Sequence, residues 1–247
     1  MKKAMILAAG RGTRLGALGK DKPKALLQVG HVCLLQHVIG RLISIGIESI
    51  VINLHHHGDQ IKQFIKAHDS FGIEIFFSEE PVLLETGGAV KNAAEYFEGE
   101  DEFIVHNADI YSEIDLSAVL DAHRVSSADA TLVVNQRGSS RTLLFDAQQY
   151  LVGWRNKVTE DELVLAAGTV DLSLSFCGIQ IISSKLLQAL ATYDADCFSI
   201  ITAYIELAKA GFHIRPCIVD GSPWFDVGTP EKVASLERYL STLSNLV

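Results

Sequence analysis

From Lys2 to Val134, short apolar runs alternate with stretches whose apolar residues recur at helical spacing, and this alternation most narrows the folds open to the chain. Lys2–Ala9, Ser49–Leu54, Ile73–Phe77, Phe103–His106 and Ala130–Val134 read as strands. Leu34–Ile45, Asp59–His68, Thr86–Phe97 and Leu116–Arg124 read as helices; in the second of these Ile61, Phe64 and Ile65 share one face. Strands separated by helices of this length require right-handed crossovers and predict an α/β fold with a mostly parallel sheet.

The pattern changes beyond Val134. Thr142–Phe145 and Tyr150–Trp154 are short β segments around an Asp146–Gln149 turn, and Asn156–Gly168 is a polar loop or hairpin. Leu174–Ile182, His213–Val219 and Trp224–Val227 follow as strands, and Lys185–Ala191, Ser199–Lys209 and Pro230–Leu240 as helices, the last with Pro in its first turn. No repeat or linker divides the chain. The expectation is one domain over 1–247 with a β-rich insert at about 136–172.

The first strand runs straight into Gly10-Arg11-Gly12-Thr13-Arg14-Leu15-Gly16, and Lys20, Lys22 and Lys24 follow around Pro23. Glycines allow backbone N–H groups to approach an anion, and Arg and Lys add charge-assisted bonds to phosphate oxygens. The spacing rules out a P-loop, which needs Gly-Lys-Ser/Thr after its glycine. A dinucleotide loop fits poorly, because no helix opens at Ala17–Pro23 and the second strand ends Asn53-Leu54-His55-His56 without an acid for a ribose. A ligand-free turn leaves two adjacent basic clusters unexplained in a chain of net charge −9.

That net charge argues against general nucleic-acid or membrane-surface binding, which needs a basic field. Hydrophobic residues make up 48% of the 247, yet no apolar run reaches transmembrane length. The four cysteines, Cys33, Cys177, Cys197 and Cys217, form no CxxC pair and are expected as reduced thiols. The apolar run after Lys2-Lys3 is too short for a leader, so a cytoplasmic location is expected. His55-His56-His57 precedes a helix and reads as its entry loop, since consecutive histidines do not easily face one ion.

Five segments, in order, resemble the sugar-1-phosphate nucleotidylyltransferases. They are Leu7–Leu15 with Lys22-Pro23-Lys24, Leu84-Glu85-Thr86-Gly87-Gly88, Asn107-Ala108-Asp109, Phe176-Cys177-Gly178-Ile179, and Trp224-Phe225-Asp226-Val227-Gly228-Thr229-Pro230. The likeness is greatest to short bacterial members of the N-acetylmuramate-1-phosphate uridylyltransferase and mannose-1-phosphate guanylyltransferase-like kind. The resemblance implies a three-layer, Rossmann-like (GT-A-like) nucleotidyltransferase fold. It implies transfer of a nucleotidyl group from an NTP, UTP or GTP, to a sugar 1-phosphate, with pyrophosphate released.

It also implies roles. Leu7, Ala8, Ala9, Gly10, Arg11, Gly12 and Thr13, with Glu85, Thr86, Gly87 and Gly88, would bind the nucleotide, the last two offering amides to the base. Arg14 would hold the β- and γ-phosphates, and Lys24 the α-phosphate or the acceptor phosphate. Asp109 and Asp226 would bind Mg²⁺. Gly178 and Arg141 would serve the sugar phosphate. The chain departs from the family pattern in lacking the Glu-Lys-Pro segment that carries a sugar-phosphate lysine, for which Arg141 or Lys157 could substitute, and in placing Ala108 where glycine is usual. Two other readings keep the loop: a cytidylyl- or guanylyltransferase for a polyol, choline or molybdopterin acceptor, and a catalytically silent NDP-sugar sensor. No nucleic acid or membrane partner is expected, and the protein would be a monomer or small homo-oligomer. The few residues after Asp226 predict no C-terminal β-helix domain.

Overall fold

The computed structural model describes residues 1–10, 12–19, 21–165 and 169–244, and at 17, 18 and 244 the backbone alone. Two compact units share the chain. One comprises residues 2–83, 106–114 and 223–247; the other comprises 84–105 and 115–222, with Met1.

The first unit opens with β1 (Lys3–Leu7), the short pair β2 (Gln28–Val29) and β3 (Val32–Cys33), α1 (Leu34–Ser44), β4 (Ser49–Leu54), α2 (Gly58–Ala67) and β5 (Glu74–Glu79). β1 pairs with β4, and β4 with β5, all parallel, in the registers Met5↔Val51 and Val51↔Phe76. Every residue of β4 is buried, which explains its apolar run Ile50–Ile52, and the buried Asn53 is satisfied by hydrogen bonds. α1 buries Leu34, Leu35, Val38, Ile39 and Leu42, one helical stripe.

The chain enters the second unit at Leu84 with α3 (Glu85–Asn92) and β6 (Glu102–Asn107), whose last two residues belong to the first unit, as does β7 (Ile110–Ser112). The second unit resumes with α4 (Leu116–Ser126), capped by the Asp115 carboxylate, which accepts from the Ser117 and Ala118 amides. β8 (Ala130–Asn135), β9 (Arg141–Phe145), β10 (Leu151–Asn156), β11 (Glu162–Val164), β12 (Leu172–Ser183), α5 (Ser184–Ala191), α6 (Ile200–Lys209) and β13 (Ile214–Ile218) complete it. Here the ladders β11–β10, β10–β9, β9–β12 and β12–β8 are antiparallel, and β8–β13 is parallel. β12 pairs with β9 through Leu172–Leu174 and with β8 through its later residues. Between Phe176 and Gln180 the register shifts, and Gly178 lies in that bulge at φ +74°. β14 (Trp224–Asp226) and α7 (Pro230–Ser244) return the chain to the first unit. The class is α/β with a mixed sheet and flanking helices, as expected.

Some boundaries differ from the sequence reading. The helix expected over 86–97 ends at Asn92, and a 3₁₀ turn (Ala94–Phe97) then swings Phe97 onto the ring of Phe103, with centroids 3.9 Å apart. Part of the polar stretch 156–168 closes the β10–β11 hairpin, while residues 166–168 lie outside the described residues. The last helix runs on to Ser244. The four cysteines are free. Among the described residues no helix is long and apolar enough to cross a membrane.

Candidate active site

In the first unit the loop after β1 is fixed from beneath. The Leu7 carbonyl accepts from Ala108 N–H (3.0 Å), and Ala8 N–H donates to Asn53 Oδ1 (2.6 Å). Asn53 Nδ2 in turn donates to the buried Glu80 carboxylate (2.7 Å), which fixes which face of the amide points at the loop. Ala8 and Ala9 are buried, whereas Gly10, Thr13 and Arg14 are exposed. Gly12 adopts φ +62°, which side-chain-bearing residues rarely take, while a Cβ there would make only an ordinary contact with Lys24 Cβ at 3.5 Å. Arg11 lies outside the described residues.

Lys24 is 9% exposed and needs partners, since a buried unpaired charge is costly. Its ammonium donates to Asp109 Oδ2 and lies 3.8 Å from Asp226 Oδ1. A small ribbon joins the two aspartates. β14 runs antiparallel to β7 with Asp226 opposite Ile110, and Val227 N–H donates to the Asp109 carbonyl (2.9 Å). Beneath the ribbon Val227, Tyr111, Leu15, Leu34, Leu236 and Leu240 pack in one cluster with neighbouring apolar residues.

Gly228 makes this approach possible. A Cβ there would meet Asp226 Oδ1 at 2.8 Å, Arg14 Nη2 at 3.3 Å and Lys24 Nζ at 3.4 Å. Arg14, Lys24 and Asp226 therefore gather around one glycine. Lys232, one turn into α7, donates to Asp226 Oδ2 (2.6 Å). Burial pushes the Asp226 carboxyl up, but the Lys232 hydrogen bond and the charges of Lys24, Lys232 and Arg14 outweigh it and hold its pKa below the usual value.

In the second unit the 84–88 turn is built differently from the expectation. The amides of Gly87 and Gly88 both donate to the Phe198 carbonyl, at 2.9 and 3.3 Å, and so are already engaged rather than offered to a base. A Cβ on Gly87 would enter the Phe198 ring, and one on Gly88 would enter the Asp196 carbonyl oxygen. The two glycines thus serve the close approach of residues 196–198. Thr86 Oγ1 accepts from Ile200 N–H at the start of α6 (3.0 Å). Glu85 is exposed and held at φ +60°, a conformation rare for a side-chain-bearing residue. Gly178 is buried in the β12 bulge. Arg141 opens β9 and lines a cavity of about 420 Å³. The side chain of Lys157 is not among that lining, and Arg155 pairs with Glu162 instead (2.7 Å).

Several residues escaped the sequence reading. Asn53 and Glu80 support the glycine loop; the polarity of Asn53 within an apolar strand signals this, whereas Glu80, between Glu79 and Pro81, gives no such signal. Lys232 is an ordinary helix lysine in the sequence. The histidine run behaves as an entry loop. His57 takes a left-handed conformation just before α2, and His55 Nδ1 donates to the Glu80 carbonyl (2.9 Å).

Residues 3–142 match the family described as nucleotidyl transferase. The N-acetylmuramate alpha-1-phosphate uridylyltransferase of Caulobacter vibrioides is 38% identical over 97% of this chain and 97% of its own length. The mannose-1-phosphate guanylyltransferase of Mycobacterium tuberculosis is 27% identical over 92% of this chain, which spans 61% of that longer protein. Among solved structures, HddC from Yersinia pseudotuberculosis shares the fold with a TM-score of 0.76 at 23% identity, covering 97% of this chain and 100% of that one. A glycine loop beside a buried lysine, two aspartates joined by a short ribbon, and this breadth of likeness lead to one conclusion: the chain belongs to the nucleotidyl transferase family.

Proposed function

We propose that this protein transfers a uridylyl group from UTP to a sugar 1-phosphate of the N-acetylmuramate kind, releasing pyrophosphate. The carrying observation is the convergence of Asp109 and Asp226 on Lys24, with Arg14 and Lys24 both beside Gly228 and Gly12 beside the lysine stem. The base and sugar follow the relative at 38% identity. The weaker likeness to a mannose-1-phosphate guanylyltransferase keeps GTP as the competing nucleotide.

The chemistry needs no general base. A phosphate monoester, with a second pKa of about 6, is already largely dianionic at neutral pH and supplies its own nucleophilic oxygen. The task is to bring two anions into line and to stabilise the charge that develops on the departing pyrophosphate. The loop backbone cradles the triphosphate. Arg14 takes the β- and γ-phosphates, and Lys24 the α-phosphate.

Asp109 and Asp226 are the residues that would hold Mg²⁺. Both carboxylates turn toward the same ammonium, so anionic oxygens from two chain segments already converge on one cationic position. Among the described residues no group of three or more acidic, histidine or cysteine side chains gathers. Further ligands would therefore come from phosphate oxygens and water, as suits this hard cation. The bound ion would supply neutralisation of phosphate charge.

Pyrophosphate release, measured over a panel of NTPs and sugar 1-phosphates, tests the reading. UTP with N-acetylmuramate 1-phosphate should give the highest kcat/KM. A higher value for GTP with mannose 1-phosphate would replace base and sugar alike, and no turnover with any pair would end the enzymatic reading.

A further inference from the structure

The Lys24 ammonium stands between the two carboxylates that would hold a divalent cation. It donates to Asp109 Oδ2 and lies 3.8 Å from Asp226 Oδ1. A cation ligated by both of those oxygens, at the roughly 2.0–2.1 Å that Mg²⁺ requires, has to sit between them, in the space the ammonium fills. Placed there together, the two cations would repel each other at close range in a partly desolvated setting.

The surroundings already neutralise the acids. Lys232 donates to the other oxygen of Asp226, Oδ2 (2.6 Å). Arg14 Nη2 and Lys24 Nζ lie 3.3 and 3.4 Å from the point that a Cβ on Gly228 would take. All of these residues belong to the first unit. A bare divalent cation would therefore leave positive charge uncompensated, whereas a triphosphate brings the opposite sign.

Lys24 can move, but only toward another anion. Its backbone is set by a turn, in which Leu26 N–H donates to the Pro23 carbonyl (2.9 Å) and Leu27 N–H to the Lys24 carbonyl (3.0 Å), while a flexible stem carries the ammonium. The residue is 9% exposed, and a buried ammonium that loses its carboxylates without a replacement is costly. A nucleotide phosphate is such a replacement.

We infer that Lys24 keeps Asp109 and Asp226 occupied until a nucleotide phosphate draws its ammonium away, so that nucleotide binding is the precondition for divalent-cation binding. This rests on the reading of the protein as a transferase that uses an NTP. The lysine then has two positions and one role in each: it stands in for the cation between the carboxylates, and it pairs with phosphate once the nucleotide is in place.

Mn²⁺ takes the same oxygen ligands as Mg²⁺, and its paramagnetic resonance reports binding with no nucleotide and no turnover. The wild-type chain alone should hold Mn²⁺ only weakly. Lys24→Met should tighten that binding roughly 10- to 100-fold, the equilibrium equivalent of one charge-assisted hydrogen bond. Adding Asp226→Asn to Lys24→Met should remove the gain; a gain that survives would put the ion elsewhere and overturn the proposal. Lys232→Met takes a charge from the same carboxylate but leaves the ammonium between the acids, so its gain should stay within about fivefold. A gain equal to that of Lys24→Met would reduce Lys24 to part of a general field, and no gain in Lys24→Met would overturn the inference outright. Where Lys24→Met does not fold, the wild type decides: in EDTA, calorimetry should show UTP or GTP binding without metal. Failure of both nucleotides to bind, or tight Mn²⁺ binding to the nucleotide-free wild type, would reverse the order. A Mn²⁺ gain in Lys24→Met without turnover of any NTP and sugar 1-phosphate would sustain the role of Lys24 and defeat the transferase reading; turnover with no gain would do the opposite.

Discussion

The two units place their cations in different ways. In the first, Lys24 and Lys232 are paired with acids, and Asp226 is shared between them. In the second, Arg137 and Arg141 line a cavity together with apolar side chains and short hydroxyls. A site whose charges already balance suits an ion and a triphosphate, which arrive with compensating charge of their own.

Breaking the balanced site should have the largest effect. Asp109→Asn and Asp226→Asn should each lower kcat by about 10²–10³-fold, the usual loss when one preorganised electrostatic group is removed. Pyrophosphate release gives the rate, and an unchanged kcat in both variants would remove the two aspartates from the site.

A second test concerns how the balanced unit responds to acid. Burial drives the pKa of His106 down to about 4, despite the hydrogen bond that its Nδ1 donates to the Asn107 carbonyl. Burial likewise lowers the pKa of His37, which stacks on Tyr111. The folded pKa of His106 lies below the unfolded value of about 6.5, so the unfolded chain binds more protons between those two values. Stability should therefore fall as pH drops from 6.5 toward 4, with His106 contributing on the order of 3 kcal/mol. His106→Leu should flatten the melting-temperature profile in that window. Asp226, with a depressed pKa, acts at lower pH: its contribution is present above the usual carboxylate range and is lost as pH falls through its depressed value. A variant profile as steep as the wild type would shift the acid sensitivity to other groups.

The second unit has its own weak point. Gly88→Ala should cost about 1–3 kcal/mol, because the added methyl meets the Asp196 backbone carbonyl rather than a movable side chain. The melting temperature should drop by several degrees, roughly 2–4 °C per kcal/mol in a chain of this size. An unchanged melting temperature would mean that residues 196–198 yield easily, leaving the Gly88 amide available to a base after all.

The smallest effect is expected at Lys232. Its pair with Asp226 is half exposed and worth at most about 1 kcal/mol. Lys232→Met should lower the Mg²⁺ concentration for half-maximal activity by about two- to fivefold, through removal of a competitor for one carboxylate. A higher Mg²⁺ requirement would show that the lysine orients Asp226 instead.

Much of the first unit could be read from the chain because its signals are local. β4 has the apolar run Ile50–Ile52 because both of its faces are buried, and α1 shows one stripe because one of its faces is. The glycine loop, Arg14, Lys24, Asp109 and Asp226 stood out as motif residues. The cavity of the second unit could not be read this way. Trp154, Thr142 and Ser199 come from three elements, and in sequence each looks like an ordinary strand or helix-entry residue. Gly87 and Gly88 were legible as glycines and not as the seats of Phe198 and Asp196, since that contact spans distant segments.

What the sequence determined by itself was the order of strands and helices, the phosphate loop and the identity of the charged groups, because propensity, periodicity and turn chemistry act between near neighbours. What tertiary structure decided was which charges meet. The β7–β14 ribbon sets Asp226 against Ile110 and so brings Asp109 and Asp226 to one ammonium, and the antiparallel ladders of β9, β10 and β12 enclose a Thr142 hydroxyl that has no hydrogen-bond partner among the described residues. Strand pairing between distant segments is fixed by long-range register, which short-range sequence signals do not encode.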